Sequence, residues 1–174
     1  MDAKSGTETW QQETFNALKG AGVDQVGYVP DAGHTRLIEL CVGDKSITTN
    51  VLTTEEEGIA IAAGAWLGGS KSCLLMQSSG VGNCINMLSL SEIGRFPLLM
   101  LVTMRGEWHE FNPWQMPMAK ATETSLNAIG VDTVRVDDAH DLASIVSSSA
   151  DLAFNSDQRI AVLMSQRMLG SKKW

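Results

Sequence analysis

The sequence predicts an α/β domain: a doubly wound, mainly parallel six-stranded sheet with helices on both faces. Three observations predict it. Short β-rich runs alternate with helical segments, and no linker, repeat or low-complexity tract interrupts them. Two of those runs, SCLLMQ at 72–77 and PLLMLVT at 97–103, are nearly continuous in apolar residues. Strands covered by helices on both sides must read that way, because neither face meets water. Finally, 174 residues that are 44% hydrophobic and 19% charged suffice for one sizeable core, so a single domain over 1–174 is expected.

In chain order, a helix over 8–19 carries Trp10, Phe15 and Leu18 and stops at Gly20. The β-rich run QVGYV (25–29) follows, then a helix over 34–41 and the run ITTNVL (47–52). A helix over 54–68 opens with threonines and glutamates that suit a helix start. After the 72–77 strand comes a helix over 83–92, for which Ser79 or Asn83 can cap. The 97–103 strand leads to a helix over about 117–129, the strand TVRV (133–136), a helix over 140–154 with Leu142, Ile145, Val146, Leu152 and Ala153, and the strand IAVLMS (160–165). The stretch 104–117 is the one long irregular segment; its two Trp and one Phe argue against disorder and for function.

Charge narrows the partners. Lys and Arg number 13 against 20 Asp and Glu, a net −7, and no basic cluster exceeds the terminal Lys172-Lys173. Nucleic acid and anionic membrane are therefore poor partners. The first residues, MDAKSGTETWQQE, are too polar for a signal peptide, and no apolar stretch reaches the roughly 20 residues that span a bilayer, so a cytoplasmic location is expected. Cys41, Cys73 and Cys84 are odd in number and lack CxxC spacing, which reads as buried thiols and not as a metal or disulfide set.

In an open parallel sheet, ligands sit beyond the carboxyl ends of the strands. The exits here are PDAGHT (30–35), TTEEEG (53–58), SSGVGN (78–83) and MRGEWHEFNPWQ (104–115). Thr53 with Glu56, and Thr54 with Glu57, fit a capping box. Capping does not explain the residues that follow, Gly58, Ala60, Ala62, Ala63, Gly64 and Ala65, which leave a slim helix able to approach a ligand or a subunit closely. A carboxylate at its start would be partly desolvated, the condition under which such a group can hold or pass a proton near neutrality. Gly80 and Gly82 fit either a tight turn or a ligand loop. GAWLGGSKS at 64–72 is no phosphate-binding P-loop, since Ser70 stands where the lysine belongs.

The ordered set TTEEEGIAIAAGAWLGG, MQSSGVGN, FPLLMLVTMRGE and NPWQMPM resembles the pyrimidine-binding domain of thiamine diphosphate enzymes. Within that group it most resembles the separate α subunit of sulfopyruvate decarboxylase and the matching part of phosphonopyruvate decarboxylase. The resemblance spans nearly the whole chain. It implies that Glu56, followed by Glu57 and Gly58, bonds the aminopyrimidine N1′ and acts catalytically, leaving Glu55 and Glu57 solvated or capping. It implies further that Gln77, Ser79, Gly80, Gly82 and Asn83 line the cofactor's pyrimidine end. Ser78 departs from the asparagine of some members, and VPDAGHTR carries Ala32 where phosphonopyruvate decarboxylases have serine. His34 is a candidate to orient the substrate carbonyl or carboxylate, as catalytic or binding residue. Arg105 and His109 are candidates to grip an anionic tail, and His140 reads as structural.

In this enzyme class a second domain with Gly-Asp-Gly and a downstream asparagine holds the diphosphate and Mg²⁺, and no Gly-Asp-Gly occurs here. The resemblance thus implies a partner β subunit that holds Mg²⁺ in a hetero-oligomer, with Trp108 and Trp114 as interface elements. The expected function is the pyrimidine-binding half of a thiamine diphosphate-dependent decarboxylase acting on a short anionic 2-oxo acid. The alternatives are a carboligating enzyme subunit and a non-catalytic cofactor-sensing module of flavodoxin-like topology.

Overall fold

A computed structural model describes residues 9–170. Glu8 and the Lys172-Lys173 pair lie outside the described residues. Six strands form one sheet in which every pairing is parallel: β1 (Val23–Tyr28), β2 (Thr48–Val51), β3 (Lys71–Gln77), β4 (Leu98–Thr103), β5 (Asp132–Val136) and β6 (Arg159–Met164). Their order is β2-β1-β3-β4-β6-β5. The expected architecture is the observed one, with strand boundaries shifted by two residues at most.

The apolar runs account for the two-sided core. Side chains of a strand alternate between faces, so Cys73 and Leu75 of β3 join Leu99 and Leu101 of β4 and Val162 of β6 on one side. Leu74, Met76, Met100, Val102 and Leu163 join on the other. The first side is closed by α1 (Trp10–Gly20), α2 (Thr35–Gly43) and α7 (Ala139–Ser156), through Leu18, Leu37, Leu142 and Val146. The second is closed by α3 (Glu55–Leu67), α4 (Ser78–Cys84), α5 (Leu88–Gly94) and α6 (Met116–Ala128), through Ile59, Val81, Leu88 and Leu126. All three cysteines are buried free thiols, and burial pushes Cys84 up to about 12 and Cys41 up to about 11. Among the described residues no helix is long and apolar enough to cross a membrane.

One expectation needs correction. SSGVGN is not an open loop before a helix over 83–92; α4 starts at Ser78, directly from β3, and the helical stretch breaks between Cys84 and Leu88. Gln77, extended at φ −91° and ψ 156°, serves as its N-cap. A short last helix, α8 (Gln166–Leu169), was not anticipated.

Candidate functional site

β1 has β2 on one side and β3 on the other, so the direction of winding reverses at β1. Such a switch point opens a crevice at the carboxyl ends of the strands. Asp31 leaves β1 there, Glu55 follows β2, and Gln77 ends β3.

Glu55 is the first residue of α3 and is only 9% exposed. Its Oε2 accepts a hydrogen bond from Asn83 Nδ2 at 2.9 Å. The carboxylate lies flat on the backbone of α4, because position 80 has no side chain: a Cβ there would stand 2.6 Å from Glu55 Cγ. Gly82 admits Met118 in the same way, with Sδ 3.2 Å from where a Cβ would be. Thr122 Oγ1 donates to the Ser78 carbonyl at 3.3 Å and binds the start of α4 to α6.

These residues form a cleft of about 830 Å³. Its floor is Glu55, Ser79, Gly80, Gly82 and Asn83, and its wall is Pro113, Trp114, Pro117 and Met118. A smaller cleft of about 190 Å³, lined by Val29, Pro30, Asp31 and Gln77, shares Glu55 and Ser79 with the first, so the two meet at the carboxylate. Within the smaller one Thr103 Oγ1 donates to Asp31 Oδ2 at 2.6 Å, Gln77 Nε2 donates to Asp31 Oδ1 at 3.1 Å, and Ser79 Oγ donates to Gln77 Oε1 at 2.9 Å. Two carboxylates thus border one small polar space.

Gln77, Ser79, Gly80, Gly82 and Asn83 all lie at these clefts. Glu56 does not. It is exposed and lines neither cleft, since one residue along a helix turns the side chain by about 100°; the desolvated carboxylate is Glu55. Glu57 caps, with Oε2 accepting from the Thr53 amide at 2.8 Å, while the Thr54 side chain makes no cap bond.

His34 lines neither cleft. It is 0% exposed, and its Nε2 lies 3.1 Å from the Leu101 carbonyl of β4. Nδ1 is buried without a partner. Burial lowers its pKa below 6.5, against the opposing pull of Asp31. Arg105 lines neither cleft, and its Nε and Nη2 both donate to Glu110 at 2.7 Å. His109, at φ 47°, is exposed and packs edge-on against Trp108 at 4.4 Å, lining neither cleft. Asp31, which lines the smaller cleft, is the acidic residue of the strand exit PDAGHT and is not singled out by any sequence motif.

No protein-family model matches the chain. The sulfopyruvate decarboxylase α subunit of Methanococcus maripaludis is 32% identical over 154 residues, 88% of this chain and 92% of that one. That of Methanocaldococcus jannaschii is 33% identical over 150 residues, 86% and 89% of the two chains. The phosphonopyruvate decarboxylase of Streptomyces viridochromogenes is 42% identical over 90 residues, 51% of this chain but 23% of that one. Among solved structures, a 2-oxoglutarate:ferredoxin oxidoreductase from Magnetococcus marinus superposes with a TM-score of 0.76 at 17% identity, over 93% of this chain and 29% of that one. A structure from Mycobacterium smegmatis described as a thiamin diphosphate-dependent enzyme gives 0.70 at 17% identity, over 95% and 32%. The structural likenesses establish the fold, a parallel α/β sheet shared with these two enzymes, and the near full-length sequence matches go further: the chain belongs to the family of sulfopyruvate decarboxylase α subunits.

Proposed function

We propose that the chain is the pyrimidine-binding half of a two-subunit, thiamine diphosphate-dependent decarboxylase that converts a short anionic 2-oxo acid, such as sulfopyruvate or 3-phosphonopyruvate, to the aldehyde and carbon dioxide. The observation that carries this reading is Glu55, a buried carboxylate at the switch point with Oε2 engaged by Asn83 and Oε1 without a protein donor among the described residues. Opposite it stand flat or pliable apolar groups, Trp114, Pro117 and Met118. A planar aminopyrimidine ring suits that space, and Glu55, Met118 and the glycine backbone would hold it. When bound, the cofactor supplies the electron sink for loss of carbon dioxide.

In this reading Glu55 holds the proton at the ring nitrogen N1′, and Asn83 keeps the carboxylate aimed. Asp31, Gln77 and Ser79 face the reacting end, where a hydrogen-bonded carboxylate and amide can position a polar substrate or exchange a proton with it. The charged residues lining both clefts are Glu55 and Asp31. The cation for an anionic substrate tail is therefore assigned to the β subunit, together with the diphosphate and Mg²⁺.

The test is purification of the chain with its co-expressed partner and assay of carbon dioxide release from both acids, with and without thiamine diphosphate and Mg²⁺. Release that needs both chains and the cofactor is expected. A chain that purifies alone and cofactor-free, with no release from either acid in the presence of the candidate β subunit, would favour the sensing-module alternative.

A further inference from the structure

The segment between β4 and α6 is irregular, yet it places Pro113 and Trp114 on the cleft wall. One carboxylate gathers it. The Glu110 side chain is 0% exposed. Its Oε1 accepts from Arg105 Nη2 at 2.7 Å and from the Asn112 amide at 3.0 Å. Its Oε2 accepts from Arg105 Nε at 2.7 Å, the Gly106 amide at 3.2 Å and Gln166 Nε2 at 2.9 Å. Gln166, at the start of α8, is itself buried, and its Oε1 accepts from the amides of Glu107 and Trp108 at 2.9 and 3.0 Å. The Arg105 amide donates to Ser78 Oγ at 3.1 Å, at the first residue of the helix that forms the cleft floor. Gly106, at φ 78°, lets the segment lie flat on the wall, since a Cβ there would stand 2.7 Å from the Gln115 carbonyl oxygen and 2.8 Å from Ala119 Cβ.

Floor, wall and α8 therefore converge on a group that lines neither cleft. We propose that Glu110 is a positioning residue: through Arg105 and Gln166 it fixes the wall bearing Trp114 against the floor on α4, and Arg105 serves this fastening and does not touch the substrate. The inference rests on the decarboxylase reading for what the cleft holds, but not for the fastening itself. Charge-assisted bonds from a bidentate guanidinium are directional enough to hold such a segment, and removing one partner leaves the other buried and unpaired.

Two measurements test it. In the chain by itself, Glu110→Gln is expected to speed amide hydrogen exchange at Gly106, Glu107, Trp108 and Asn112 about tenfold; unchanged exchange would overturn the fastening, whatever the enzyme does. In the two-subunit enzyme, Arg105→Ala, Glu110→Ala and the double variant are compared. Each single change is expected to raise half-saturating thiamine diphosphate about tenfold, the double change no further, with substrate KM moved less than about threefold. If Arg105→Ala still raises substrate KM about tenfold or more in the Glu110→Ala background, Arg105 touches substrate and the proposal fails. Unaltered cofactor saturation in all three would equally overturn it.

Discussion

Replacing Glu55 by Gln preserves its length and an acceptor for Asn83 while removing the ionisable group. Turnover of the two-subunit enzyme is expected to fall by about 10² or more, whereas Glu56→Gln, on an exposed side chain, is expected to leave it within about twofold. Steady-state assay of both variants decides the assignment, and the reverse ranking would sink it. Which of the three glutamates is buried is a matter of helix phase. Glu55, Gly58, Ile59, Ala62 and Ala63 form the buried stripe, spaced i, i+3, i+4, i+7, i+8. Ala60, Gly64 and Leu67 on the exposed surface are equally apolar or small, so no polar face fixes which of three adjacent glutamates turns inward. The burial of His34 was hidden for another reason: its loop is polar, and only the tertiary path carries the ring to the Leu101 carbonyl of β4.

At the scale of elements, the strands were legible because burial on both faces writes itself as unbroken apolar runs, and β4 is buried at every position. Leu101→Ala, in the middle of that strand and 0% exposed, should cost about 2–5 kcal/mol in chemical denaturation. Helix α4 was not legible. Two glycines in seven residues oppose a helix locally, and what permits it is long-range: Glu55 and Met118 occupy the space their side chains would need. Gly80→Ala should therefore displace the Glu55 head while the neighbouring helix largely persists. Activity is expected to drop at least about tenfold with a stability loss of about 1–3 kcal/mol, and a crystal structure with Glu55 unmoved would contradict that account.

For the molecule as a whole, two buried groups contribute to the acid limb of stability. Folding lowers the pKa of His34 from the ordinary 6.5 by desolvation, so the unfolded chain binds the proton more readily. Stability is full above about 6.5 and declines as pH falls below it, by up to about 1.4 kcal/mol per pH unit for one proton. The Arg105 guanidinium first, with the Asn112, Gln166 and Gly106 donors, holds Glu110 down at about 2 from 4.5, against the cost of burial. Its contribution is present above about 4.5 and fades toward pH 2. Melting temperature is thus expected to fall in two stages on acidification. His34→Leu should flatten the stage just below pH 6.5, and Glu110→Gln the one below pH 4.5; an unchanged profile in either variant would refute the corresponding assignment.

The contact between Glu55 and the bare backbone at Gly80 ties together two letters far apart in the sequence. It makes them a joint test for reading other genomes. A related sequence that keeps a glutamate at the aligned first position but bears a bulky residue at the second has lost the seat for that carboxylate. Such a chain is better sought among partners that no longer turn over substrate than among working enzymes.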